Sequence, residues 1–313
     1  MRRALVGAAL VVAAAAALLG TARPARADVI VGIGDQKPEM FTDPRFVALG
    51  IRNARLQVGW DAMGSPWQVA ELDAWLGAAR KAGVTPLVTF GHSRTVRRSL
   101  PSPSRFKYEF RRFRARYPWV TRFVTWNEAN HCGEPTCHRP RLVGVYWNAL
   151  QHECPTCTIL AAELLDEPNM ASWARTFVRY VGRQPERWGL HSYVDANRFR
   201  TTGTKRLLHA VRGDIWMTEV GGIVWRRNRP ATGKNQIRLR ESPSHAANAT
   251  RWLFDRLVPL SPRIRRVYIY QWNASSIRDT WDSGLITPGG RPRPALRVLE
   301  DRVLDGVLLR QPL

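Results

Sequence analysis

The sequence predicts an α/β protein, a (β/α)8 TIM barrel, and three observations carry that expectation. Short β-branched apolar runs alternate with longer amphipathic stretches from residue 28 to the C-terminus. The alternation repeats eight times, and no Gly-rich dinucleotide loop opens any of the helices. No composition shift or Pro/Ser-rich linker divides the 313-residue chain, so residues 28–313 read as one domain. A doubly wound open sheet is the alternative, and it usually needs fewer strands in this length.

The expected strands cover residues 29–33, 54–58, 85–90, 122–125, 158–162, 188–191, 215–218 and 266–271. Between them lie helical patterns. Residues 66–82 place Val69, Leu72, Leu76 and Ala79 at three- and four-residue steps, and residues 101–117 carry Phe106, Phe110, Phe113 and Tyr117 on one side with basic residues on the other. Residues 172–181, 205–211 and 244–258 behave alike. The longest interruptions, 130–140, 226–243 and 275–294, fall after the fourth, seventh and eighth strands. In a barrel these loops lie on the C-terminal face, where active sites form.

The first 27 residues stand apart from this pattern. Arg2 and Arg3 precede an apolar run over 4–19, and Ala25-Arg26-Ala27 supplies the small-x-small pattern that signal peptidase reads. Residues 1–27 are therefore expected to be a signal peptide, with an uncleaved N-terminal anchor as the alternative. Cleavage removes four arginines and no acid, so the mature chain stays basic: the full sequence carries +23, with 48 Lys+Arg against 25 Asp+Glu. The expected location is secreted, extracellular or cell-wall associated. In an oxidising compartment the four cysteines read as local disulfides, Cys132 with Cys137 and Cys154 with Cys157. Four cysteines allow three pairings, and a structural zinc site built from all four stays open beside them. No resident metal or cofactor is expected.

Two of the strand ends carry the chemistry. Thr125-Trp126-Asn127-Glu128 closes the fourth strand and Trp216-Met217-Thr218-Glu219 closes the seventh. Strands four and seven lie on opposing sides of a barrel, so both carboxylates can converge on its axis. Paired carboxyl groups across a cleft are what glycosidic-bond hydrolysis needs, one donating a proton to the leaving oxygen and one attacking the anomeric carbon. A lone Glu at a strand end more often pairs with an Arg; the joint placement, with Asn127 directly before Glu128, favours catalysis.

This pattern resembles the clan A glycoside hydrolases. Trp126-Asn127-Glu128-Ala129-Asn130 and Trp216-Met217-Thr218-Glu219-Val220-Gly221 look like that clan's fourth- and seventh-strand motifs, and families 39 and 5, including bacterial exopolysaccharide hydrolases, look nearest. The resemblance implies a retaining mechanism with Glu128 as acid/base, Glu219 as nucleophile and Asn127 on the sugar 2-hydroxyl. It further implies that Arg55 supports the ionised nucleophile, that Tyr193 in His191-Ser192-Tyr193 hydrogen-bonds it, and that Trp272 forms an aromatic platform beneath the sugar. Ala129 replaces the Pro that commonly follows the acid/base. The two-cysteine insert 130–140 has no counterpart in the pattern, so substrate specificity does not carry over.

Further candidates come from position. Trp60 and Trp272 sit at strand ends and suit sugar faces, whereas Trp75 lies mid-helix and reads as packing. His92 after the third strand and Glu163 after the fifth are placed to touch substrate, and Asp35 after the first is a weaker candidate. The acid/base should have a raised pKa, from low polarity and a nearby anion, and the nucleophile a low one. The leading expectation is an exported, monomeric, retaining glycoside hydrolase acting on a polysaccharide, with the basic charge favouring anionic glycans. The alternative is a non-catalytic barrel that binds glycans or polyanions. Nucleic-acid binding has only the charge in its favour, since no basic stripe or recognised module appears.

Overall fold

The computed structural model describes residues 29–226 and 239–308. Residues 1–27, expected to be a signal peptide, and most of the interruption at 226–243 lie outside them. Nine parallel strand segments form the sheet: β1 Ile30–Gly34, β2 Asn53–Gly59, β3 Thr85–Gly91, β4 Arg122–Val124, β5 Thr158–Leu160, β6 Glu163–Leu165, β7 Arg187–His191, β8 Asp214–Val220 and β9 Ile264–Tyr270. Their order is β5-β4-β3-β2-β1-β9-β8-β7-β6. The two edge segments, β5 and β6, are consecutive in the chain. They are separated only by the fully buried Ala161 and Ala162, and Ala161 N donates to Arg187 O at 3.0 Å. The ring of strands all but closes through this pair, so eight courses make a (β/α)8 barrel, as the alternation predicted.

Helices return the chain between strands: α1 Pro44–Ala48, α2 Pro66–Lys81, α3 Pro103–Arg116, α4 Pro140–Glu153, α5 Met170–Val181, α6 Tyr193–Asn197, α7 Thr202–Ala210, α8 Pro243–Trp252 and α9 Pro294–Glu300. Six of them begin with Pro, whose missing N–H costs nothing in a first turn. Ser102 and Ser242 cap α3 and α8 by accepting from the backbone N–H groups of Arg105 and His245. Helix α3 buries Phe106, Phe110 and Phe113 against Phe90 and Phe123, the stripe its spacing predicts. Each ring contributes about 1.5–3 kcal/mol by burial. Helix α4 was not expected. Its buried Val143, Tyr146, Trp147 and Leu150 nevertheless follow i, i+3, i+4, i+7 spacing.

Both cysteine pairs are disulfides, Cys132–Cys137 with Cα atoms 4.8 Å apart and Cys154–Cys157 at 5.3 Å. The zinc alternative therefore falls: thiolates that ligate zinc cannot be in disulfides, and the two pairs lie at opposite ends of α4. Among the described residues no helix is long and apolar enough to cross a membrane.

Candidate active site

The site is built from Arg55 within β2, Asn127 and Glu128 just after β4, Glu163 at the start of β6, His191 at the end of β7 and Glu219 near the end of β8. Along β2, inward-facing positions recur every second residue, which places Arg55 inside the barrel. Arg55 is 2% exposed and bound on every edge. Its Nε and Nη2 donate to Glu163 Oε1 and Oε2 at 2.7 and 2.5 Å, Nη1 donates to Glu219 Oε2 at 2.7 Å, and Nη2 also reaches Asn127 Oδ1 at 2.8 Å. Thr89 Oγ1 adds a third donor to Glu163 at 3.0 Å.

Glu219 reaches this network through a bulge. Opposite both neighbours β8 carries one extra residue: Gly189 pairs with Trp216 but His191 pairs with Glu219, and Val267 pairs with Met217 but Ile269 with Val220. Regular alternation from Trp216 would turn Thr218 inward and Glu219 outward; the extra residue resets the alternation and aims Glu219 at the axis. Tyr193, the first residue of α6, then donates its hydroxyl to Glu219 Oε1 at 3.0 Å.

Glu128 has φ +39°, a left-handed backbone that costs a non-glycine residue about 1–3 kcal/mol. The flanking peptides hold it there: Asn127 N donates to Phe90 O at 2.7 Å and Ala129 N donates to Glu163 O at 2.8 Å. His191 donates from Nδ1 to Glu128 Oε1 at 3.1 Å and from Nε2 to Glu163 Oε2 at 3.3 Å, so one imidazole spans two carboxylates. Exposure sorts the three acids. Glu163 is sealed at 0%, while the side chains of Glu219 and Glu128 keep 13% and 23% of their surface open. Two carboxylates face the cleft and one is sealed beneath them.

The charges follow from this arrangement. Burial works against the ionised form of Glu163, but Arg55 and His191 outweigh it and hold its pKa at about 2. Burial alone would drive His191 neutral; Glu219, Glu163 and the bond to Glu128 raise it instead to about 10, so it stands as an imidazolium. Desolvation would likewise weaken the Arg55 charge, and Glu163 and Glu219 reverse that. Burial and the Glu219 charge hold Tyr193 firmly protonated. Glu128 departs from the pKa expected of a resting acid/base. Burial pushes it up, but the hydrogen bond and charge of His191, with His131 and Arg55 behind it, hold it below the ordinary value.

The remaining candidates are placed as follows. Asn127 is buried beside Arg55. His92 is partly open, with Nδ1 bound to Glu134 Oε1 at 2.7 Å. Trp60 is half-buried with its indole N–H on Ser99 O at 3.3 Å. Trp272 is 2% exposed, packs edge-on against Phe46, and donates to Asp43 Oδ2 at 3.2 Å. Neither Trp272 nor Glu163 therefore presents surface to a sugar. Two half-buried aromatics stand near the acids: Trp281, edge-on to Tyr193, and Tyr270, whose hydroxyl pKa is raised by burial and by the nearby Glu219 and Asp35 charges. Asp35 is fully buried and receives Lys37 Nζ at 2.6 Å and the backbone N–H groups of Trp272 and Asn273. Sequence reasoning missed Tyr270 and Glu134. Glu134 sits inside the Cys132–Cys137 loop, is 6% exposed, and ties His92 to the Trp126 indole N–H at 3.1 Å.

No protein-family model matches the sequence, and no curated protein resembles it. Solved structures do resemble it in fold. A family 39 glycoside hydrolase from Bacteroides cellulosilyticus WH2 aligns at TM-score 0.54 and 14% identity over 88% of this chain and 63% of its own. A psychrophilic family 10 endo-β-1,4-xylanase aligns at TM-score 0.62 and 12% identity, over 87% and 97%. Fungal β-1,4-galactanases align at TM-score 0.60 and 12% identity, over 88% and 99%. The chain thus spans less than two thirds of the family 39 structure and nearly all of the other two. At these identities the likeness establishes a shared barrel, the fold that the motif resemblance implies.

Proposed function

We propose that the protein is an exported retaining glycoside hydrolase acting on a polysaccharide, with Glu219 as nucleophile and Glu128 as acid/base. One observation carries this reading. The two carboxylates with open surface, Glu128 and Glu219, come from opposite sides of the barrel and are joined through a single buried Arg55–Glu163–His191 network. That fits a pair acting on one sugar ring.

In the first step a Glu219 oxygen bonds to the anomeric carbon, the glycosidic C–O bond breaks, and the leaving oxygen takes a proton from Glu128. In the second, Glu128 removes a proton from water, the water oxygen bonds to the anomeric carbon, and the bond to Glu219 breaks. Arg55 and Tyr193 each donate to Glu219, keeping it anionic for attack and stabilising it as a leaving group. The proton for the leaving oxygen resides on the Glu128–His191 pair, across 3.1 Å. A bound sugar that excludes water shifts it toward Glu128 by desolvation. Tyr270, half-buried, offers an aromatic ring beside Glu219, and His92, oriented by Glu134, offers a ring nitrogen for a hydroxyl. The basic charge, which persists after loss of the four arginines in residues 1–27, favours anionic glycans.

Export rests on the N-terminal segment and the two disulfides. The test is reducing-end release over a panel of neutral and acidic polysaccharides, with wild type and Glu128→Gln. Release by wild type with loss in Glu128→Gln supports the reading, and acidic substrates should lose rate as salt rises. Binding without any release by wild type points to a glycan-binding barrel instead.

A further inference from the structure

The opposite, N-terminal mouth of the barrel carries a second constellation that the hydrolytic reading does not use. Alternation along β9 turns Arg266, Tyr268 and Tyr270 inward, and along β2 it turns Asn53, Arg55 and Gln57 inward. Asn53 and Arg122 are the first residues of β2 and β4, and Arg266 is the third of β9. The three side chains converge. Arg122 Nη1 donates to Asn53 Oδ1 at 2.8 Å and Arg266 Nη1 donates to the same oxygen at 2.9 Å. Two guanidiniums thus share one neutral acceptor, and among the described residues no carboxylate pairs with either. The two arginines are half-buried; the fully buried Arg55, by contrast, has two carboxylates.

Three further features shape the place. The Trp216 ring lies under Arg266, 4.5 Å from its guanidinium carbon, and orients it. Gly32 on β1 leaves the space that the Tyr268 ring fills, since a Cβ there would stand 2.6 Å from that ring. The Tyr268 hydroxyl is fully buried, lies within electrostatic reach of both arginines, and closes no hydrogen bond of acceptable geometry although Arg266 stands beside it. A buried hydroxyl without a partner costs about 1–3 kcal/mol. Desolvation and the neighbouring Arg266 charge also weaken the Arg122 charge, which is the cost of holding two cations together with no anion between them.

We propose that this mouth is a binding site for a free tetrahedral oxyanion, phosphate or sulfate, held by Arg122 and Arg266 with the Tyr268 hydroxyl at its inner end. An oxyanion supplies what the residues lack: negative charge between two guanidiniums and an acceptor for the hydroxyl. The two arginines lie at the end of the barrel away from Glu128 and Glu219, with only the Tyr268 hydroxyl at the inner end in reach of Arg55, so binding there is measured without any glycan substrate.

Isothermal titration of the protein with inorganic phosphate, and with sulfate, against chloride at equal ionic strength tests it. Saturable binding is expected in wild type, weakened about 10-fold or more in Arg122→Gln, Arg266→Gln and Tyr268→Phe. It should be unchanged in Arg97→Gln/Arg98→Gln, which removes two exposed arginines elsewhere. Tyr268→Phe keeps the ring and removes only the orphaned hydroxyl, so it reports even if the arginine variants fail to fold. No saturable binding in wild type, or binding that survives in every variant that folds, overturns the proposal.

Discussion

Arg55 donates to Glu219 at 2.7 Å with one nitrogen while its other edge is closed on Glu163, so a single guanidinium joins the open carboxylate to the sealed one. The position of Glu219 is thereby set by a residue across the barrel rather than by its own strand alone. The pair also makes fold and site interdependent, because the cation that orients Glu219 is buried and needs Glu163 to be there at all.

Removing that counter-charge should cost stability before anything else. Glu163→Gln leaves Arg55 and His191 facing a neutral amide in a dry site. We expect a loss of about 3–5 kcal/mol, read from urea denaturation midpoints at pH 7. A loss under 1 kcal/mol would show that the network is solvated or relaxes freely.

Tyr193→Phe removes one of the two donors to Glu219 and leaves the ring packed against Trp281, with centroids 5.0 Å apart. Folding should be nearly unaffected, while kcat on a cleaved polysaccharide should fall about 10- to 100-fold, the worth of one hydrogen bond to a charged group. Wild-type turnover would remove Tyr193 from the machinery.

The His191 pKa of about 10 in the fold, against 6.5 as its ordinary value, has a signed consequence. A raised basic pKa stabilises the fold fully below pH 6.5, and that contribution fades as pH rises toward 10. Glu163, lowered to about 2 from 4.5, contributes above pH 4.5 and fades as pH falls toward 2. The stability gap between wild type and His191→Asn should therefore be widest between pH 4.5 and 6.5 and shrink steadily toward pH 10, as measured by urea melts across that range. A gap that widens on the alkaline side contradicts an imidazolium at this position.

The Cys132–Cys137 disulfide closes a short loop that carries Glu134 into contact with His92 and Trp126. Cys132→Ser/Cys137→Ser should cost about 2 kcal/mol by chain entropy and raise KM more than it lowers kcat, since His92 loses its orienting carboxylate. An unchanged KM in the folded variant would place His92 outside the substrate contacts.

Gly32→Ala tests the packing at the other end of the barrel. The added methyl would meet the Tyr268 ring at 2.6 Å and Asn53 O at 2.8 Å, in a layer with no slack. A destabilisation of about 1–3 kcal/mol is expected from thermal or urea melts.

Much of this fold was legible because barrel strands are short, β-branched and buried, and every expected strand lies within a residue or two of an observed one, the fifth being split into β5 and β6. The Phe stripe of α3 announced itself by spacing. Helix α4 has equally good spacing, but Gly144 and its aromatic residues lower its helix propensity and hid it. Glu128 and Glu219 were legible as strand-terminal acids; what aims Glu219 was not. A bulge is a property of two neighbouring ladders, and Trp216-Met217-Thr218-Glu219 read alone by alternation points the acid away. Trp272 was named by resemblance to an aromatic platform at a strand end, a position that does not fix where the ring points: it turns into the core, and Tyr270 keeps some surface. Glu134 was hidden because its partners, His92 and Trp126, lie on other segments brought near only by folding.

The assignment of Glu219 as the attacking carboxylate has one direct test: Glu219→Ala assayed on a cleaved polysaccharide or its aryl glycoside, with and without sodium azide. Turnover should vanish and return with azide, the product being a glycosyl azide of inverted anomeric configuration. Ordinary hydrolysis by Glu219→Ala, or an azide adduct of retained configuration, would contradict the assignment.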